Sequence, residues 1–115
     1  MRGDTDGCLR VLRYLDEVGI TATVYHYNPA IAACQEDWRT ALWLLMQMER
    51  KGVERSTITY NAAISACEKG GQWERALGLL EEMGREGVVR NTITYNAAIS
   101  ACEQGGQWER ALGML

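Results

Sequence analysis

Between residues 57 and 91 the apolar positions fall into two successive stripes of helical period. Tyr60, Ala63, Ile64 and Cys67 stand at i, i+3, i+4 and i+7, the spacing that lines one face of an α-helix. Gly70-Gly71 interrupts the stripe, because glycine accepts the left-handed backbone required just past a helix end. Trp73, Ala76, Leu77, Leu80 and Met83 resume the 3.6-residue period, with Glu74, Glu81 and Glu82 on the outer faces and Gly87 as the stop. The pattern predicts a helical hairpin. Its first helix (helix A) is expected to open at Tyr60 with Thr59 as its cap, and its second (helix B) at Trp73.

The hairpin is written more than once. Thr57–Leu80 and Thr92–Leu115 align over 24 positions with two differences, Lys69 against Gln104 and Leu79 against Met114, so the period is 35 residues. A fainter copy precedes them: Tyr27, Asn28, Ile31 and Cys34 match Tyr60, Asn61, Ile64 and Cys67, and Trp38, Ala41, Leu42 and Gly52 match Trp73, Ala76, Leu77 and Gly87. That unit has 33 residues, having lost two in the turn between Cys34 and Trp38. Pro29 is expected in the first turn of its helix A, where a missing N–H leaves no helical bond unmade. Leu9, Leu12, Leu15 and Gly19 read as a lone helix B.

A hairpin that is apolar on both sides cannot bury itself, whereas stacked copies share a continuous core. The expected fold is therefore all-α, an α-solenoid of stacked antiparallel hairpins with about seven helices. It divides into residues 1–23 (a partial repeat), 24–56, 57–91 and 92–115 (a truncated repeat). With only two full units and no polar capping helix, the chain is expected to be a marginally stable stretch of a longer array.

Composition narrows the function classes. The chain is 47% hydrophobic and 23% charged, ordinary for a soluble protein, and no stretch approaches the ~20 apolar residues of a membrane span. Twelve Lys and Arg against 15 Asp and Glu give a net charge of −3, without the basic footprint of a domain held chiefly by phosphates. Cys34, Cys67 and Cys102 share one phase of successive repeats. Equivalent stacked helices lie ~8–10 Å apart, beyond the ~7 Å reach of a disulfide, so these are expected to be buried, reduced thiols. No C-x-x-C pair suggests zinc, and no Cys/His or Ser/His/Asp arrangement recurs, so neither an enzyme nor a cofactor is expected. The one histidine, His26, is expected to cap a helix or sit at the surface. Trp38, Trp43, Trp73 and Trp108 are expected to pack between helices.

The 35-residue hairpin that opens "TITYNAAISACEKGG" and closes "ALGLLEEMGREGVVRN" resembles the pentatricopeptide repeat family. The tetratricopeptide repeat is the nearest competitor, but its period is 34 and its Trp lies in the first helix. The resemblance implies a concave groove lined by helices A, in which single-stranded RNA is read at one base per repeat. The residue after the repeat Tyr and the last residue of the repeat would read that base together: Asn28 with Ser56, Asn61 with Asn91, and Asn96 with a partner beyond Leu115. Thr23 is the closing residue of the first partial unit. Tyr25, Ile58 and Ile93 match the residue that sandwiches the base. In the family, Asn followed by Asn or Ser goes with pyrimidines, cytosine before uracil.

The resemblance further implies a role in organellar RNA processing, stability or editing, in a chloroplast or mitochondrion, although MRGDTDG has no targeting character. Lys69 is the candidate phosphate contact. Asn61, Ser65 and Glu68 form a polar row beside the apolar stripe, but Asn61 and Asn96 could equally cap or bond within their own turn. Glu36, Glu68 and Glu103 would repel phosphates, which keeps a second reading open: a protein-binding helical scaffold that does not recognise RNA. No membrane and no small-molecule substrate is implied.

Overall fold

The computed structural model describes residues 3–107 together with Glu109 and Gly113. Among them lie six helices and no strand: α1 (Gly3–Glu17), α2 (Val24–Ala33), α3 (Trp38–Arg50), α4 (Thr57–Lys69), α5 (Trp73–Arg85) and α6 (Thr92–Gln104). α2, α4 and α6 are helices A; α1, α3 and α5 are helices B. The final helix B, expected from Trp108 onward, falls outside the described residues but for Glu109 and Gly113.

The stacking is asymmetric. Helices A touch one another along the stack, α2 against α4 and α4 against α6, while each helix B packs on the helix A that follows it. Among the described residues α1, α3 and α5 do not pair with one another. A stack closer on one side curves toward that side, so helices A line the inside of the bend. The molecule measures 49 × 32 × 19 Å. Tyr60, Ile64, Ile31, Leu44, Met48 and Met83 are fully buried between the layers.

Helix A begins earlier than the apolar stripe suggests. α4 opens at Thr57 with Ser56 as its cap, and Thr59 is the third helical residue. The Ser56 backbone N–H donates to Thr59 Oγ1 at 3.1 Å, a reciprocal arrangement that satisfies two of the donors orphaned at a helix start. Asn91 and Thr94 repeat it at α6, and at α2 the Thr23 N–H donates to His26 Nδ1 at 2.9 Å. His26 thus takes the capping role expected of it. The early start also moves Pro29 to the sixth residue of α2 and out of the first turn. There the ring removes the N–H that would have bonded the carbonyl of Tyr25.

Cys34, Cys67 and Cys102 are buried thiols in the inter-helix layer. Burial pushes the Cys67 thiol up to about 11, since the low-dielectric interior disfavours thiolate. Trp38 and Trp73 are partly buried and pack against the core, whereas Trp43 stands half exposed in a groove that it lines with Leu9 and Leu12 of α1. Trp108 lies outside the described residues.

Candidate nucleic-acid interface

The first turns of α2, α4 and α6 repeat one arrangement at each junction between units. Asn28 Oδ1 accepts from Thr59 Oγ1 at 2.5 Å, and Thr59 Oγ1 lies 3.1 Å from Ser56 Oγ. Asn28 and Ser56, the pair that the family resemblance implies, are therefore joined through a hydroxyl of the following helix. At the next junction the link is direct: Asn61 Nδ2 donates to Asn91 Oδ1 at 3.0 Å, and Asn61 Oδ1 accepts from Thr94 Oγ1. Asn61 neither caps its own helix nor bonds within its turn; its partners are 30 and 33 residues away. Stacking of α6 over α4 leaves it only 8% exposed, while Asn91 and Asn96 are exposed and Asn28 and Ser56 partly so.

Three residues before each Asn, one helical turn away, stands a large apolar side chain turned to solvent. Tyr25 is 84% exposed, Ile58 67% and Ile93 63%. Spacing of i and i+3 puts each on the face of its Asn. An apolar residue so exposed at the same phase of three helices lacks a packing reason within the chain.

The other end of helix A is different in character. Glu68 Oε2 accepts from Gln104 Nε2 at 2.8 Å, and Lys69 Nζ donates to Gln35 Oε1, so polar side chains also bridge the repeats there. Lys69 remains exposed, as do Glu36 and Glu103. Seven residues of helix separate Glu68 from Asn61, about 10 Å. That is on the order of the Debye length at physiological salt, so the acids only weakly oppose an anion at the Asn end.

Thr59, expected as the cap of its own helix, and Thr94 at the same position of α6 each also hold the Asn of the preceding unit through the hydroxyl. The signal was present as the recurring Thr-Tyr-Asn at Thr59–Asn61 and Thr94–Asn96. Its meaning needed the distance between repeats. Among the described residues, no three His, Cys, Asp or Glu side chains converge as metal ligands.

Residues 55–104 match the PPR repeat family. No curated protein matches the chain. Among solved structures it is similar to the pentatricopeptide repeat protein PPR10 from maize, with a TM-score of 0.82 and 25% identity over 96% of this chain and 16% of that one. It is likewise similar to PPR10 in complex with an 18-nt psaJ RNA element, with a TM-score of 0.84 and 24% identity over 99% of this chain and 17% of that one. The chain thus spans about a sixth of the length of those proteins.

Proposed function

The chain belongs to the pentatricopeptide repeat family, and on that premise we propose that it binds single-stranded RNA along the inside of its bend, one base per repeat. Asn28 with Ser56 and Asn61 with Asn91 read successive bases, Asn96 begins a third position, and Tyr25, Ile58 and Ile93 sandwich the bases. Lys69 meets the phosphate backbone. The bases are pyrimidines, cytosine before uracil, and the process is organellar RNA processing, stability or editing in a chloroplast or mitochondrion.

The observation that carries this reading is the exposed apolar side chain one turn before each Asn, in phase across α2, α4 and α6. Base stacking requires such a surface, and stacking on a side chain contributes ~1–3 kcal/mol per base. Edge contacts contribute a similar amount. Two read bases then supply roughly 4–12 kcal/mol against an association cost of ~4–15 kcal/mol. The 115-residue chain is therefore expected to bind only at about millimolar RNA, and tight binding belongs to longer arrays.

Titration with homopolymer oligonucleotides, followed by nuclear magnetic resonance, tests the proposal. Pyrimidine oligomers should shift the signals of Asn28, Asn61 and Ile58 at lower concentration than purine oligomers, and Asn61→Thr should move that position toward purines. Nanomolar affinity would overturn the energetic argument. Glu36, Glu68 and Glu103 favour the second reading, a protein-binding scaffold, which would stand if every homopolymer left the signals unmoved at ~10 mM.

A further inference from the structure

We infer that the space between α1, α2 and α3 is a binding site for a small apolar carboxylic acid, held by the Tyr27 hydroxyl and the Arg13 guanidinium. The inference goes beyond the RNA-binding reading and does not depend on it. Two adjoining cavities, of about 250 and 370 Å³, open there and share Leu12, Asp16, Tyr27 and Lys51 in their walls. The larger falls within the ~300–1,000 Å³ of small-molecule sites. Neither Asn28 nor Ile58 borders them.

Two copies of one position identify the polar group of the ligand. On α4, Tyr60 donates to the Glu82 carboxylate at 2.6 Å, and Arg55 pairs with the same oxygen at 3.0 Å. On α2, Tyr27 occupies the matching position and is only 4% exposed, but Gln47 stands in place of Glu82 and Ala22 in place of Arg55. Among the described residues no hydrogen bond reaches the Tyr27 hydroxyl. No fully buried side-chain oxygen there lacks a partner, so this hydroxyl opens on the cavities that Tyr27 borders. A nearly buried hydroxyl without an acceptor favours one brought from outside. In the neighbouring unit that acceptor is a carboxylate.

Charge and shape specify the rest. Lys51 and Asp16 neutralise each other at 3.1 Å. Arg13 has no ion pair among the described residues and gives the lining one net positive charge. A guanidinium engages a carboxylate through two parallel N–H bonds, so a single acid answers both the charge and the hydroxyl. The other walls are apolar: Leu9, Leu12 and Trp43, the last standing where later units have Gly78 and Gly113. These walls cover the hydrocarbon or aromatic body of the acid. A compact inorganic anion would leave them wet, and a neutral hydrocarbon would leave Tyr27 and Arg13 without a partner.

The probe is 3-phenylpropionate, titrated into the 115-residue chain and followed by nuclear magnetic resonance, with 3-phenylpropanamide as its uncharged counterpart. The acid should shift the signals of Leu12, Tyr27 and Trp43 with a Kd of about 1 mM, and the amide should bind roughly tenfold more weakly. Tyr27→Phe and Arg13→Gln should each weaken the acid roughly tenfold. Tyr27→Phe should leave the unfolding midpoint unchanged, because its hydroxyl has no partner to lose. Gln47→Glu combined with Ala22→Arg rebuilds the Tyr60 arrangement around Tyr27 and should abolish binding. Signals unmoved at ~10 mM acid, equal affinity for acid and amide, undiminished affinity in Tyr27→Phe, or binding retained by the rebuilt variant would each overturn the inference and leave the RNA reading intact. Should the rebuilt variant unfold, the comparison of Tyr27→Phe with the unsubstituted chain decides.

Discussion

The indole of Trp38 occupies the space that a side chain would take at Gly70, 32 positions later in the chain: a Cβ built there would lie 2.2 Å from Trp38 Cδ1. Arg39 and Arg75 stack on that ring at 4.7 and 4.9 Å from its centroid, which holds it in place. Gly70 has φ −84°, a conformation open to any residue, whereas Gly71 has φ +71°. The two glycines of one turn are therefore there for different reasons. Trp73 and Gly105 repeat the relationship, with the Cβ position 2.4 Å from the indole.

Gly70→Ala should destabilise the stack by about 1–3 kcal/mol through overpacking, and Trp38→Ala in the same chain should relieve part of that loss. Gly71→Ala meets open space and should cost about 1–2 kcal/mol from its left-handed backbone alone, with no coupling to Trp38. Thermal denaturation of the single and double variants measures both. Equal coupling at the two glycines would contradict the packing account.

Tyr60 is buried, yet its hydroxyl donates to Glu82 Oε2 at 2.6 Å, and Arg55 closes the group with an ion pair to the same oxygen at 3.0 Å. This ties helix A to helix B of one repeat, with the Arg55 guanidinium 5.3 Å from the ring centroid. Tyr60→Phe should lose about 1–2 kcal/mol. Loss should be smaller for Tyr60→Phe in a Glu82→Gln background, because the charged acceptor is already gone. Urea denaturation of the four chains of that cycle gives the coupling.

Alkaline pH should loosen the fold. Burial raises the Cys67 thiol from 9.0 to about 11, and burial first, then the hydrogen bond to Glu82, raises the Tyr60 phenol. Both groups keep their protons to higher pH in the folded chain than in the unfolded one. Their contribution is complete below about pH 9 and is lost as pH rises from there toward 11 for Cys67, with Tyr60 following above 10. The midpoint of thermal unfolding should fall across that window, and Cys67→Ala should flatten its lower part.

Ile58→Ala and Ile93→Ala should leave stability within about 0.5 kcal/mol, because each side chain stands mostly in solvent. The same changes should weaken RNA contact at their own repeat, by about 1–3 kcal/mol where a base is lost from a stacking surface. Unfolding curves and oligonucleotide titrations of the same samples separate the two effects. A large loss of stability would assign these residues to packing.

Much of the architecture was legible because helical period and repeat period are both local or additive. Tyr60, Ala63, Ile64 and Cys67 announce a buried face without reference to anything distant, and the 24-position copy announces stacking. Helix starts were less legible: the apolar stripe begins at Tyr60, but the cap is Ser56, and in the turn between them the one apolar residue, Ile58, faces solvent and so does not extend the buried stripe. Of the interface, the pairing of Asn61 with Asn91 came from family resemblance, and the part played by Thr94 from neither pattern nor resemblance.

The order of residues by itself determined the helical hairpin, its 35-residue recurrence and the need for copies to stack, since each follows from the spacing of apolar side chains. Only the tertiary structure decided which helices line the inside of the bend, why Gly70 is glycine, and which side chains hold Asn28 and Asn61. Those outcomes depend on contacts between groups 30 to 33 residues apart. Such contacts are set by how closely one repeat settles on the next, a distance that no spacing within a repeat encodes.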